Sequence, residues 1–110
     1  MPLEIAFQTR ELRATCESPT RAKRELGDSA SRALRRVLAD ISAVEAVAEL
    51  FEMGLEIENC THGYGLLRFQ LSEALHLYCN VNQQSVPMND GTIDWARVTR
   101  LKVVHIGRRK

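Results

Sequence analysis

The chain is 110 residues long, carries a formal net charge of +1 and contains 45% hydrophobic and 26% charged residues. This balance excludes general disorder, and the length allows one hydrophobic core but not two, so we predict a single domain over residues 1–110. The opening MPLEIAFQTR lacks the apolar segment of a secretory signal, and no apolar run approaches the length of a membrane span. Three cysteines without framework spacing favour reduced thiols. Together these features predict a cytoplasmic protein that does not bind membranes.

The first half of the chain predicts one short strand followed by helices. Apolar and other residues alternate over residues 3–7, which is typical of a strand. Capping signals at Thr9 and at Ser18-Pro19 predict two helix starts, and Leu26-Gly27 predicts the end of the second helix. A third helix begins after Asp28 or Ser29, and Ser42 is the predicted cap of a shorter helix over residues 43–50.

The third predicted helix has one apolar side and one basic side. Its apolar stripe consists of residues that recur at helical spacing, namely Ala30, Ala33, Leu34, Val37, Leu38 and Ile41. Arg32, Arg35 and Arg36 lie away from this stripe. They are interpreted either as an ordinary solvated helix face or as a surface that binds RNA phosphates.

Residues 65–81, GLLRFQLSEALHLYCNV, predict a β-hairpin around which the second half is arranged. Apolar and polar residues alternate in both halves of the segment, so one face belongs to the core. Matching the apolar positions sets Arg68 opposite Tyr78 and Gln70 opposite His76. A strand is predicted before the hairpin at residues 55–58, and residues 99–106 predict a final inner strand. The order of elements predicts an α+β fold, with an N-terminal strand and two to three helices packed on a mainly antiparallel twisted sheet.

Three stretches of the chain resemble one family of bacterial proteins. The stretches are LEIAFQTRELRATCES, SRALRRVLADISAVEAVAEL and DWARVTRLKVVHI. They are similar to the RelE/ParE superfamily of toxins from type II toxin–antitoxin operons, nearest to its HigB-like "killer protein" branch. The resemblance covers nearly the whole chain and is more specific for fold than for activity.

The resemblance implies a growth-inhibiting toxin that is neutralised by a cognate helix-turn-helix antitoxin of the HigA-like kind. Many relatives are endoribonucleases that cleave mRNA on the ribosome through attack of the 2′-OH on the adjacent phosphate, without a metal or other cofactor. Both a homodimer and a toxin–antitoxin heterotetramer are compatible with the resemblance. Relatives on the ParE side act on DNA gyrase.

The catalytic candidates lie on the hairpin and in the loop before it. We predict His62 and His76 as the reacting pair, Arg68 as the phosphate-binding group and Tyr78 as a platform for a base. Further RNA contacts are assigned to the arginines of the third helix, a loop tyrosine and the basic tail, namely Arg32, Arg35, Arg36, Tyr64, Arg108, Arg109 and Lys110.

Several alternatives stay open. His76 and Tyr78 are also interpretable as solvated cross-strand neighbours, and His105 as a partly buried structural histidine. Cys60, His62 and His76 contain zinc-ligand types but would leave a site one ligand short. The sequence departs from the branch in the loop before the hairpin, at His76 and in the tail. A non-nuclease, protein-binding module that recognises an antitoxin or a gyrase-like target therefore remains the alternative function.

Overall fold

A computed structural model describes residues 3–53, 57–60, 66–83 and 87–108. The helices and strands follow one another as β1 (Glu4–Phe7), α1 (Arg10–Glu17), α2 (Pro19–Leu26), α3 (Asp28–Ala43), α4 (Val47–Glu52), β2 (Ile57–Cys60), β3 (Leu66–Gln70), β4 (Leu75–Val81), β5 (Met88–Asn89), β6 (Thr92–Ile93), a 3₁₀ turn (Trp95–Arg97) and β7 (Arg100–Arg108). This order confirms the predicted α+β class.

The main sheet is mixed, and within the described ranges its strand order is β1-β7-β4-β3-β2. Strand β1 is parallel to β7, whereas the remaining neighbours are antiparallel. The first and last strands, β1 and β7, are therefore neighbours in the sheet, and the hairpin β3–β4 lies between β7 and β2. Met88–Asn89 and Thr92–Ile93 form a separate two-stranded ribbon.

Local capping explains where the first helices begin. The Thr9 hydroxyl accepts the backbone N–H of Leu12 at 3.1 Å, and the Ser18 hydroxyl accepts that of Arg21 at 3.2 Å. Gly27, with a φ of 91°, separates α2 from α3. These three boundaries agree with the predicted ones.

The sequence misplaces the starts of two helices. Neither Asp28 nor Ser29 caps α3, because Gly27 is the cap residue and α3 begins at Asp28 itself. The short helix is misplaced by more. Ser42 does not cap it, because α3 continues to Ala43 and α4 starts only at Val47. The carboxylate of Glu49 instead accepts the backbone N–H groups of Glu45 at 2.7 Å and Ala46 at 3.0 Å. A side chain within the helix thus binds the N–H groups of the two residues before it, while the N–H of Val47, the first helical residue, donates to the carbonyl of Val98 at 2.9 Å.

The core lies between the helices and one face of the sheet. Its fully buried side chains come from both layers, among them Leu34 and Ile41 of α3 and Leu67, Phe69 and Leu77 of the hairpin. Trp95 is half-buried against this core, and its ring lies edge-on to that of Phe51 with 5.7 Å between the centroids. In the described part of the chain, no helix is long and apolar enough to cross a membrane.

We expect Leu77→Ala to destabilise the fold strongly. Leu77 is 0% exposed, so truncation leaves a cavity and should lower the free energy of unfolding by about 2–5 kcal/mol. Chemical denaturation followed by circular dichroism measures the change. Leu75→Ala, on the same strand but only half-buried, is the matched control and should cost clearly less. Equal losses for the two variants would contradict the burial of Leu77.

A hydrogen-bonded carboxylate joins α1 to α2. The Thr15 hydroxyl donates to Glu25 Oε2 at 2.7 Å, and Arg21 Nε donates to Oε1 at 2.9 Å. These hydrogen bonds, Thr15 first, lower the pKa of Glu25 below its ordinary value of 4.5. The stability that they contribute is therefore present above that ordinary value and is lost as the pH falls through the lowered pKa.

We accordingly expect Glu25→Gln to be less stable than the parent at pH 7. The difference should shrink below about pH 4.5 and then vanish, because both chains are then neutral at this position. Urea denaturation across this pH range measures it, with Glu73→Gln in the exposed hairpin turn as the control. A difference that persists unchanged in acid would exclude the carboxylate as its source.

Candidate functional site

The sheet face that points away from the helices carries a group of polar side chains. Arg68 of β3 is in register with Tyr78 of β4, and Tyr78 is in register with His105 of β7. His76 lies two residues before Tyr78 on β4 and therefore shares its face. We call Arg68, His76, Tyr78 and His105 the polar cluster. Three strands build it, so its geometry depends on the sheet rather than on a loop.

Tyr78 is the centre of the polar cluster. Its ring centroid lies 6.3 Å from that of His76 and 5.4 Å from that of His105, with both pairs tilted. The predicted pairing of Arg68 with Tyr78 and of Gln70 with His76 is confirmed. The backbone of Glu58 in β2 is in register with that of Arg68.

A β-bulge brings His105 to this face. Cys79 pairs with Val103, but Tyr78, the residue before Cys79 in β4, pairs with His105. Val104 is therefore an extra residue in β7. Unbroken alternation from the buried Leu101 and Val103 would have turned His105 towards the core. His105 is half-buried, as predicted. It nevertheless belongs to the polar cluster, which the sequence analysis did not anticipate.

Gly107 shapes the same end of the cluster. It is in register with His76 and has a φ of 155°. A Cβ atom at this position would lie 3.1 Å from Nε2 and 3.3 Å from Cε1 of His105. The imidazole of His105 therefore extends along β7 towards Gly107, the residue that is in register with His76.

The four side chains differ in their accessibility. Arg68 is 7% exposed and Tyr78 is 4% exposed, whereas both histidines are half-buried. Tyr78 is thus part of the floor of the site, and its ring does not present an open face for the base stacking predicted for it. Arg68 also lies in the floor. The two half-buried histidines and the exposed Gln70 are the less covered part of this face, although Nδ1 of His76 is buried.

The four other predicted residues that the structure describes, Arg32, Arg35, Arg36 and Arg108, are not part of the polar cluster. Arg32, Arg35 and Arg36 are exposed on α3, in the helical layer on the other side of the sheet, and Arg32 forms an ion pair with Asp28. Arg108 is exposed at the end of β7, in register with Leu75, whose alternating set faces the core. The other four candidates, His62, Tyr64, Arg109 and Lys110, lie outside the described residues.

Metal and thiol chemistry receive no support from the described side chains. Where the structure describes the chain, no three His, Cys, Asp or Glu residues are grouped to hold a metal ion. Burial, with a smaller effect of the Glu17 charge, raises the pKa of Cys16 to about 11, and burial also raises that of Cys79. Neither thiol is a ready nucleophile at neutral pH, because the thiolate is the reactive form.

We expect Tyr78→Ala to lower stability, since the ring is buried between its neighbours. Loss of a buried aromatic side chain should cost about 3–5 kcal/mol. Gln70→Ala, on the same face but exposed, should change the free energy of unfolding by no more than about 0.5 kcal/mol. Thermal and urea denaturation measure both changes. A Tyr78→Ala chain as stable as the parent would show that the ring is not part of the packed floor.

Comparisons with known proteins identify no relative of this chain. No protein-family model, curated protein or solved structure matches it. The site is therefore interpreted from its own side chains and from the sequence resemblance.

Proposed function

We propose that this protein is the toxin of a type II toxin–antitoxin system and cleaves mRNA as a metal-independent endoribonuclease on the ribosome. The observation that carries the proposal is the polar cluster, in which one sheet face combines an arginine, a tyrosine and two histidines. These residue types supply the positive charge and the proton transfer that phosphodiester cleavage needs.

The architecture agrees with what the resemblance implies. An N-terminal strand, helices on one side and a mainly antiparallel sheet are the features expected for a RelE-like domain, and the described residues contain each of them. The helices leave the other sheet face to polar side chains. A RelE-like assignment at this finer level is part of the proposal.

The proposed reaction is transfer of the phosphate to the neighbouring ribose oxygen. A base takes the proton of the 2′-OH, the 2′-oxygen forms a bond to phosphorus, and the bond from phosphorus to the 5′-oxygen breaks. An acid then supplies a proton to that 5′-oxygen, so the products are a 2′,3′-cyclic phosphate and a free 5′-OH. We assign one of these roles to His76, whose side chain is half-buried.

Arg68 takes a supporting role in this scheme. Its side chain is 7% exposed, so its charge acts on the reacting phosphate mainly from beneath the surface and not through direct contact with the RNA strand. A charge that is partly shielded from water interacts more strongly with an opposite charge than the same charge does in water. Arg35 and Arg36, exposed on α3, offer a separate contact to ribosomal RNA or to an acidic partner.

Controlled expression in a bacterial host tests the proposal. We expect growth arrest with transcripts cut at defined positions, and relief of arrest on co-expression of a helix-turn-helix antitoxin from the same operon. His76→Gln should reduce cleavage by about 10²–10⁴-fold, the usual contribution of one general acid or base. Glu73→Gln, in the exposed hairpin turn and outside the polar cluster, is the control and should cut normally.

Cleavage by His76→Gln at the parental rate would show that His76 takes no part in the reaction. Intact transcripts in cells arrested by the parental protein would reject the nuclease activity altogether.

The protein-binding alternative is favoured by one specific observation. Arg68 and Tyr78 are almost fully covered, which suits a structural floor better than an RNA-contacting surface. On this view the fold binds an antitoxin or a gyrase-like target without cutting RNA. Arrest that persists in His76→Gln while transcripts stay intact would favour it over the nuclease.

A further inference from the structure

The large apolar side chains that are exposed in the described part of the chain lie on neighbouring elements. Phe51 of α4 is 39% exposed, Met53 directly after α4 is 47% exposed, and Met88 of the ribbon is 50% exposed. The ring of Phe51 lies edge-on to that of Trp95, which joins α4 to the 3₁₀ turn. Met88 is in register with Ile93, two residues before Trp95. We call Phe51, Met53, Met88 and Trp95 the apolar patch.

Backbone hydrogen bonds hold the elements of the apolar patch together. The N–H of Val47, at the start of α4, donates to the carbonyl of Val98 at 2.9 Å, just after the 3₁₀ turn. The N–H of Asp94 donates to the carbonyl of Pro87 at 2.9 Å, which joins the turn to the start of the ribbon. The turn is therefore tied to α4 on one side and to the ribbon on the other. A surface that is organised in this way before a partner arrives costs less entropy to bind.

The chain around the apolar patch is acidic. Residues 37–67 and 69–96 contain no lysine or arginine. Acidic residues lie on each element of the patch or directly beside it, namely Glu49 and Glu52 on α4, Asp90 at the turn of the ribbon and Asp94 before the 3₁₀ turn. Arg97, in the 3₁₀ turn, is the first cation that follows along the chain, and these acids outnumber it. The apolar patch therefore has a negative surround.

We infer that the apolar patch binds a basic amphipathic helix of another protein. Aromatic and methionine side chains are enriched at the centres of protein interfaces, and methionine adapts its shape to the partner. A helix with one apolar stripe would cover Phe51 and Trp95, and lysines or arginines beside that stripe would meet the acids around the patch. The inference does not rest on the proposed nuclease. Trp95 packs against the core, on the helical side of the sheet, whereas the polar cluster lies on the other face.

The charges also argue against other occupants. Two copies of this chain that met patch to patch would bring like charges together. The exposed arginines of α3, Arg35 and Arg36, would suit the acids, but the described residues expose no large apolar side chain outside the patch to accompany them. Nucleic acid and anionic membranes would be repelled by the acidic surround. A cationic protein segment with its own apolar side chains satisfies both halves of the surface.

Fluorescence of the full chain tests the inference, because Trp95 is the only tryptophan in the sequence. The probe is a designed amphipathic helical peptide of leucine and lysine that lacks tryptophan. Its matched control peptide has glutamate in place of every lysine. We expect the lysine peptide to shift the Trp95 emission to shorter wavelength in a saturable way, with binding that weakens as the salt concentration rises. The glutamate peptide should leave the emission unchanged.

Two variants separate the apolar and the electrostatic contributions. Met53→Ser removes apolar contact area from an exposed position and should weaken binding of the lysine peptide by about threefold to tenfold. Glu52→Lys turns an attraction into a repulsion and should weaken binding by about fivefold. Glu73→Lys is the control and should bind normally. It carries the same charge change in the hairpin turn beside Leu75, which pairs with Arg108 at the opposite end of β7 from the 3₁₀ turn.

The inference is overturned if the Trp95 emission stays unchanged at a saturating concentration of the lysine peptide, or if both peptides bind equally. Folded Glu52→Lys that binds as tightly as the parent also overturns it. A parental dimer that becomes monomeric in Met53→Ser, as measured by sedimentation, would show that a second copy covers the patch instead. An emission shift caused by phosphatidylcholine vesicles but not by the lysine peptide would identify a lipid surface and would likewise contradict the inference.

Discussion

The pairing of β3 with β4 is the constraint on which the rest of the site depends. Leu67 and Phe69 meet Cys79 and Leu77 on the core face, and all four side chains are at most 1% exposed. A slip of one residue would expose these apolar groups and bury the polar ones, at a cost that a domain of this size does not tolerate. The apolar face thus fixes which side chains meet on the polar face.

This dependence explains why three of the four residues of the polar cluster, Arg68, His76 and Tyr78, were predictable. The alternation of the hairpin specifies the neighbours of Arg68 and Tyr78, because register and face follow from a period of two. Helix starts with a capping hydroxyl were predictable for a similar local reason. The start of α4 was not, since Glu49 holds the N–H groups of Glu45 and Ala46 from inside the helix and Val47 donates to the distant Val98 carbonyl.

The position of His105 shows where alternation stops being informative. A bulge adds one residue to β7, and the run Leu101–Lys102–Val103–Val104–His105 contains nothing that distinguishes it from a regular buried strand. The reversal arises from pairing with β4, which is a tertiary event. Burial of Arg68 and Tyr78 is likewise a property of the assembled sheet and does not follow from the hairpin sequence alone.

The polar side chains of the hairpin look equivalent in the sequence, but their different burial suits them to different roles. A group that transfers a proton must reach its substrate, whereas a group that stabilises charge acts at a distance if water is kept away. Arg68, at 7% exposure, meets the second condition, and the half-buried imidazoles meet the first. Tyr78 connects the two sets because it packs in the floor and lies beside both rings. Burial therefore divides the polar cluster into a covered floor, formed by Arg68 and Tyr78, and the two half-buried histidines.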